Sequence, residues 1–398
     1  ARLPNYVRAN LIPKTKVSIL IAARNEEGKI DLTIEDILAQ NYPHHLFELI
    51  VVDDHSTDNT SKVIKSYANR GVKLIQLNEA EPLNSYKKKA ISEAIKLGKV
   101  SYDDSYLQKH INSILALPLI DVEAIKKANF KIAIDCINSS GGVFIPALLK
   151  ALGVEIIYEL FCEPNGNFQH NPEPLAEHLT EISHKVLTNK ADLGIVVDPD
   201  VDRLCFVNED GTMFGEEYTL VAIADYVLKY SPGNTVSNLS STGALRDITE
   251  AAGQVYNASA VGEVNVVKLM KSTSAVIGGE GNGGIIYPKL HFGRDALVGI
   301  ALFLTHLAKS GLKISELRAS YPEYFISKNK ISLEKGIDVD TLLKKVARKY
   351  KSQPFSTVDG LKIMFNKNWV HLRKSNTEPI IRIYSEAKTE IEANKIAN

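Results

Sequence analysis

Cysteine is scarce in this chain: three residues in 398, Cys136, Cys162 and Cys205, unevenly spaced and without a C-x-x-C pair. That argues against a disulfide framework and points to reduced thiols in a cytoplasmic protein. Net charge of one sign is lacking too, since 47 lysines and arginines balance 47 aspartates and glutamates. Without a basic excess there is no electrostatic grip on nucleic acid. No apolar run approaches the length of a membrane span, and the amino terminus has no signal-peptide pattern. Repeats, low-complexity tracts and long linkers are absent as well. The hydrophobic fraction of 44% is ample for roughly two to four cored domains.

What is present concentrates in three loops. Asp198-Pro199-Asp200-Val201-Asp202, followed by Arg203, comes directly after the apolar run Leu193–Val197. The run predicts a buried strand, so three carboxylates alternate at its carboxyl end. Hard oxygen donors in that arrangement suit Mg²⁺, although an isolated pattern of this kind also fits an acidic surface turn. Downstream, Gly278-Gly279-Glu280-Gly281-Asn282-Gly283-Gly284 offers Glu280 and Asn282 to hydroxyl groups on a backbone that can approach a ligand closely. By itself it also reads as a plain turn. The third loop is Arg373-Lys374-Ser375-Asn376-Thr377-Glu378-Pro379, with Arg382 three residues beyond it in a strand expected over 380–384. Its arginines and hydroxyls suit a phosphate dianion, which guanidinium binds bidentately; a solvated basic turn is the alternative.

Taken in order, the three loops resemble the α-D-phosphohexomutase superfamily of phosphoglucomutases, phosphomannomutases and phosphoglucosamine mutases. The resemblance covers residues from about 101 to the end, and three lesser matches support it: Asn171-Pro172-Glu173-Pro174-Leu175, Ser240-Ser241-Thr242, and Val261-Gly262-Glu263 ahead of Met270. It implies that Asp198, Asp200 and Asp202 bind Mg²⁺ with Arg203 beside them. Glu280 and Asn282 would hold the sugar, and Arg373, Ser375, Asn376, Thr377 and Arg382 the phosphate of a hexose phosphate or bisphosphate. Asn282 and Gly284 depart from the family's usual serine and histidine, which leaves the identity of the sugar open. The family's mechanism passes a phosphoryl group from an enzyme serine to the sugar through a bisphosphate. The T-A-S-H-N-P-type segment carrying that serine is absent from these residues; His170-Asn171 has no serine beside it.

In its place the chain begins differently. A β-rich run over 17–22 ends in Ala23-Arg24-Asn25-Glu26-Glu27, a helix is expected over 30–40, and a strand over 49–52 leads into Asp53-Asp54-His55-Ser56-Thr57-Asp58-Asn59-Thr60. Thr57 or Asp58 is expected to cap a helix over 61–69, followed by a strand over 72–77 and a helix bearing Lys87-Lys88-Lys89. Alternation of this kind predicts a parallel sheet with ligands at the strands' carboxyl ends. The residues at those ends resemble family 2 glycosyltransferases of the GT-A type. By that resemblance Arg24, Asn25, Glu26, Asp53, Asp54 and Lys88 would line a UDP-sugar pocket. The metal-binding D-x-D and catalytic carboxylate of that family do not follow; only Asp103-Asp104 stands nearby, without a strand before it.

The chain thus reads as a fusion with its seam near 98–101, and Ala1 in place of methionine reads as a cut upstream boundary. The expected fold class is α/β: a partial GT-A-like nucleotide-binding sheet, two three-layer α/β mutase domains and a small α+β carboxyl-terminal domain. The expected division is 1–99, 101–233 with the metal loop, 234–326 with the sugar loop and 327–398 with the phosphate loop. Three functions follow: a phosphohexomutase-type isomerase impaired by the missing phosphoserine, a fragment of a sugar-nucleotide transferase, or a phosphosugar-binding chimera without turnover.

Overall fold

A computed structural model describes residues 16–40, 42–76, 103–173, 175–332, 338–374 and 380–397. Lys88, the seam, Ser375, Asn376 and Thr377 lie outside them. The chain divides into two compact units, Ala1–Asp103 and Asp104–Asn398.

The first unit alternates β1 (Val17–Ala23), α1 (Ile30–Leu38), β2 (Phe47–Asp53), α2 (Thr60–Ser66) and β3 (Val72–Gln76). The three strands are parallel in the order β1-β2-β3. Leu49, Ile50, Val51 and Val52 of the central strand are all buried, the continuous apolar run expected where both faces of a parallel sheet are covered. Ile30 and Ile34 of α1 and Ile64 of α2 share one core with Leu49 and Val51. On the other face Val52 packs with Leu20 and Ile75. Two expectations need correction. Helix α2 stops at Ser66 rather than residue 69, because the chain tightens into a 3₁₀ turn over Ala68–Arg70 and leaves through Gly71 at φ 86°. Asn59, without a side-chain capping bond, takes the capping position; Asp58 instead accepts the Thr60 N–H at 3.0 Å.

The second unit holds three sheets. Helices α3 (Tyr106–Leu115), α4 (Val122–Ala128), α5 (Gly141–Ala151) and α6 (Thr180–Asn189) accompany β4 (Lys131–Asp135), β5 (Ile156–Leu160), β6 (Leu193–Val197) and β7 (Leu204–Asn208). The sheet order is β5-β4-β6-β7, parallel except for β7. Next come α7 (Glu216–Tyr230), β8 (Thr235–Asn238), α8 (Ala244–Ala251), β9 (Tyr256–Ser259), α9 (Glu263–Thr273), β10 (Ile277–Glu280), β11 (Gly284–Ile286), α10 (Ala296–Ser310) and α11 (Ile314–Ala319). Their sheet runs β11-β10-β8-β9, with only β11 antiparallel. Helices α7 and α10 are apolar on almost every side, so they can only be stable inside the protein. They share the largest core with β6, β7, α3 and α5.

The third sheet is antiparallel throughout, in the order β12-β16-β15-β14-β13. It comprises β12 (Phe325–Ser332), β13 (Phe355–Ser356), β14 (Leu361–Phe365), β15 (Asn368–Lys374) and β16 (Ile380–Ala387), with α12 (Val339–Lys349) and α13 (Glu390–Ala397). Asp338 caps α12, accepting from the N–H groups of Asp340 and Thr341. Strand β16 runs three residues past its expected end because β12 pairs with it along its whole length. The architecture is α/β with a small α+β carboxyl-terminal part.

Candidate functional site

The acidic pentad forms the turn between β6 and β7. The Asp198 carboxylate folds that turn by accepting the N–H groups of Asp202 at 3.1 Å and Arg203 at 3.0 Å. Val201 sits at φ 60°, an outlier for a β-branched residue that costs about 1–3 kcal/mol. Val201 is held there at both ends: its N–H meets the Asp198 carbonyl and its carbonyl takes the N–H of Ala296 at the start of α10. The result brings one carboxylate oxygen each from Asp198, Asp200 and Asp202 within 4.8 Å of one another. Burial, reinforced by the neighbouring carboxylates, pushes Asp198 up to about 7, and burial also raises Asp202. Arg203 lies beside them, its Nε 3.6 Å from Asp198 and 3.9 Å from Asp202, and its Nη1 3.3 Å from Glu173.

The sugar loop is the hairpin between β10 and β11. Gly283, at φ 86°, packs so close to the backbone of Leu204 that a Cβ would collide with the Leu204 carbonyl. Leu204 N–H in turn donates to the Gly283 carbonyl at 3.1 Å, which ties this hairpin to the end of the acidic turn. Glu280 is buried and accepts from Asn238 Nδ2 at 2.9 Å, Gly262 N–H at 3.1 Å and Arg294 Nη1 at 3.1 Å. The Asn282 side-chain oxygen takes the Gly284 N–H at 3.2 Å.

Gly284 is where the resemblance expects histidine, and the structure gives the reason for its absence. A Cβ at 284 would strike the Arg294 side chain. Arg294 fills that space and forks between Asp202 of the acidic turn and Glu280 of the sugar loop, while its backbone N–H donates to Glu263 at 2.9 Å. Sequence reasoning missed Arg294, which stands well outside all three motifs. The collision at 284 is visible only in three dimensions.

In the third sheet Arg373 of β15 lies directly opposite Arg382 of β16, and Arg382 directly opposite Lys330 of β12. Like charges facing one another across strands repel, so an anion between them would relieve the strain. Lys328 and Tyr384, two residues along their strands from Lys330 and Arg382, share that face. Alternate positions in the β12 sequence Phe325–Ser332 were the available signal for the lysines.

Residues of the second and third sheets, with Arg203 from the β6–β7 turn of the first sheet, line one cavity of about 210 Å³: Arg203, Glu280, Asn282, Lys328, Arg373 and Arg382 are among them. Glu173 and Ser240, from two of the lesser motif matches, also reach it, as do Glu216, Glu217 and Asn238, which were not anticipated. Burial pushes Glu217 up to about 8, opposed by the nearby Lys328 ammonium.

Glu173 is delivered by a loop that His170 anchors. The imidazole points Nε2 at Asp135 (3.1 Å) and Nδ1 at the Asn171 carbonyl (2.8 Å). With acceptors at both nitrogens the cation is favoured, and the bond to Asp135 raises His170 above its usual 6.5. A raised histidine adds stability that is full below the unfolded value and lost as pH rises through the folded one. We expect the His170 ring resonances to titrate above 6.5. His170→Asn should cost about 1 kcal/mol at pH 6 and less at pH 8.5 in urea melts.

In the first unit, Arg24, Asn25, Glu26, Asp53 and Asp54 gather at the carboxyl ends of β1 and β2. Their polar groups largely serve one another's loops. Asp53 binds the Ser61 hydroxyl and the Ser56 N–H, Asp54 meets His55 at 3.0 Å and Arg24 at 3.8 Å, and Asn25 Oδ1 takes the Thr57 N–H at 2.8 Å. Glu26 N–H donates to the Thr60 hydroxyl at 2.8 Å.

Comparison with known proteins agrees with this geometry. Residues 105–211 and 215–324 match the family models described as phosphoglucomutase/phosphomannomutase alpha/beta/alpha domains II and III, and residues 331–398 match the C-terminal domain of the same family. A phosphoglucosamine/phosphogalactosamine mutase of Sulfurisphaera tokodaii is 32% identical over 310 residues, covering 75% of this chain and 67% of that protein. The chain belongs to the phosphoglucomutase/phosphomannomutase family. A phosphoglucomutase/phosphomannomutase of Thermococcus kodakarensis is 37% identical over 280 residues, and the match spans 61% of its length and 69% of this chain. Among solved structures, a phosphoglucomutase/phosphomannomutase family protein from Burkholderia thailandensis superposes with a TM-score of 0.67 at 21% identity, covering 95% of this chain and 87% of its own. That likeness concerns the fold. Residues 18–96 match a different model, described as glycosyl transferase family 2. Among the described residues no helix is long and apolar enough to cross a membrane.

Proposed function

We propose that this phosphoglucomutase/phosphomannomutase family chain binds a hexose phosphate or bisphosphate with Mg²⁺ and, as these 398 residues, turns it over poorly. The observation that carries the reading is the single cavity on which Arg203, Glu280, Asn282, Arg373 and Arg382 converge. In this reading Arg373 and Arg382, with Ser375, Asn376 and Thr377, hold the substrate's phosphate as a bidentate clamp. Glu280 and Asn282 accept from and donate to the sugar hydroxyls, and the glycines around them let the ring approach the backbone. The division into 1–99, 101–233, 234–326 and 327–398 belongs to the same reading, as does a cytoplasmic setting.

The acidic turn fits a magnesium ion. Its three oxygens lie within 4.8 Å of one another, all are hard donors, and burial raises Asp198 and Asp202, which a cation would oppose. An N-acetylphosphoglucosamine mutase of Aspergillus fumigatus, 15% identical at a TM-score of 0.55, has been solved in complex with GlcNAc-6P and magnesium. When bound, Mg²⁺ neutralises charge on the phosphoryl group being transferred. Arg203, beside the turn and at the cavity wall, supplies a second positive charge on that side. In this reading the cavity residues position the substrate.

A coupled assay with glucose 1-phosphate, glucose 1,6-bisphosphate and Mg²⁺ tests the reading alongside calorimetry. We expect Mg²⁺-dependent binding of glucose 1-phosphate that Arg373→Ala weakens about 100-fold, as loss of a charge-assisted bidentate contact should, with negligible turnover. Robust turnover abolished by Asp200→Asn overturns the claim of poor catalysis, and a flat titration overturns the site. The UDP-sugar pocket in the first unit rests on the glycosyl transferase family 2 match and on Arg24, Asp53 and Asp54. Heat on adding UDP-glucose with Mn²⁺, lost in Asp54→Ala, is its expected signature.

A further inference from the structure

We propose that His110, His291 and Asp295 form a binding site for a borderline divalent transition cation of the Zn²⁺ class, separate from the acidic turn. His110 comes from α3, His291 from the loop ahead of α10, and Asp295 is the residue that caps α10. The fold brings both imidazoles to one atom: His110 Nε2 lies 2.7 Å and His291 Nε2 2.9 Å from Asp295 Oδ2. One donor atom from each of the three lies within 4.8 Å of the others.

The donor set decides which cation. Two imidazole nitrogens and one carboxylate oxygen suit Zn²⁺, Co²⁺ and their neighbours, whereas Mg²⁺ prefers oxygen donors throughout. The chain therefore offers two chemically distinct sites, one all-oxygen and one of mixed nitrogen and oxygen. Preorganisation is built in. Asp295 is 6% exposed, and its Oδ1 is occupied by the N–H groups of Leu297 at 2.8 Å and Val298 at 3.1 Å. That leaves Oδ2 aimed at the imidazoles, the outer-shell orientation that metal-binding carboxylates need. The His110 and His291 side chains are 31% and 43% exposed. A cation thus has an entry path and a coordination position open to water, the arrangement of three protein ligands plus one exchangeable position.

Without a cation the two Nε2–H groups bridge to the same oxygen. A divalent ion replaces those protons, so binding releases them and weakens at low pH.

The test is a titration of the metal-stripped full chain with Co²⁺ in excess Mg²⁺, read by the visible d–d absorption that nitrogen ligation intensifies. One equivalent is expected, displaced by Zn²⁺ and retained in Asp200→Asn. His291→Asn, on an exposed loop residue, should weaken it about 100-fold or more, beyond the range seen on losing an outer-shell partner. His110→Asn should do the same, with circular dichroism confirming that both variants fold. A signal unmoved by both histidine variants, or lost in Asp200→Asn, overturns the proposal. So does the absence of any Co²⁺ signal, which would leave the cluster as a hydrogen-bonded tether between α3 and α10.

Discussion

Arg294→Leu lowers the stability of the chain by about 3 kcal/mol and weakens Mg²⁺-dependent hexose-phosphate binding about 100-fold, because one guanidinium holds two carboxylates of different loops. The Arg294 side chain is 16% exposed, that of Asp202 20% and that of Glu280 7%. Removing the cation leaves both carboxylates facing each other with little water to screen them, and breaking such a pair typically costs about 3–5 kcal/mol. The partial exposure of Asp202 places the expectation at the lower end. The binding loss has a geometric origin: without the fork, the Leu204–Gly283 backbone bond still ties the hairpin to the turn, but the Asp202 and Glu280 carboxylates are no longer held together. Arg294→Lys separates charge from shape, since a single ammonium cannot span both partners. It should recover more than half of the stability and little of the binding. Urea melts and calorimetry with glucose 1-phosphate decide the matter. Stability within 0.5 kcal/mol of the parent would mean that the two loops are positioned by their backbones alone.

The second large effect concerns Glu386. Its carboxylate is fully buried in β16 and accepts the Gly243 N–H at 2.9 Å, where α8 begins, and the Trp369 indole N–H at 2.7 Å. An anion at a helix N-terminus is favoured by the helix dipole. Lys362 lies against the same cluster, its Nζ 3.9 Å above the Trp369 ring and 2.6 Å from the Leu239 carbonyl. Burial raises Glu386 and lowers Lys362, and each group's charge opposes the other's shift. Glu386→Ala leaves the Gly243 and Trp369 N–H donors without their acceptor and takes away a negative charge that supports the Lys362 ammonium, for an expected loss of about 4 kcal/mol. Glu386→Gln keeps the shape and should cost about half as much. Trp369 is the chain's one tryptophan, so its fluorescence reports on this joint alone. Its emission should shift at lower urea than the far-ultraviolet signal in the alanine variant. Coincident transitions near the parent midpoint would show that the antiparallel sheet stays docked without Glu386.

Much of the fold could be read locally. Leu193–Val197 is a strand at its expected bounds, because short apolar runs bounded by polar turns have few other ways to bury themselves. The parallel order of the first sheet follows from alternating strands and helices for the same reason. Where the reading slipped, as at α2, the end of the helix was decided by a single glycine and a 3₁₀ turn rather than by periodicity.

The candidate site divides along the same line. Asp198, Asp200, Asp202, Glu280, Arg373 and Arg382 sit in or beside contiguous motifs, so composition and order along the chain sufficed to pick them out. Arg294, Lys328, Glu217 and the His110–His291–Asp295 cluster were not legible. Each owes its place to a partner far along the sequence, Asp295 lying 185 positions from His110 and Asp202 92 positions from Arg294. By itself the sequence determined which loops carry acid, glycine and base, since those properties belong to neighbouring residues. Only the tertiary structure decided which charges face each other across those loops, because strand register and helix packing bring them together.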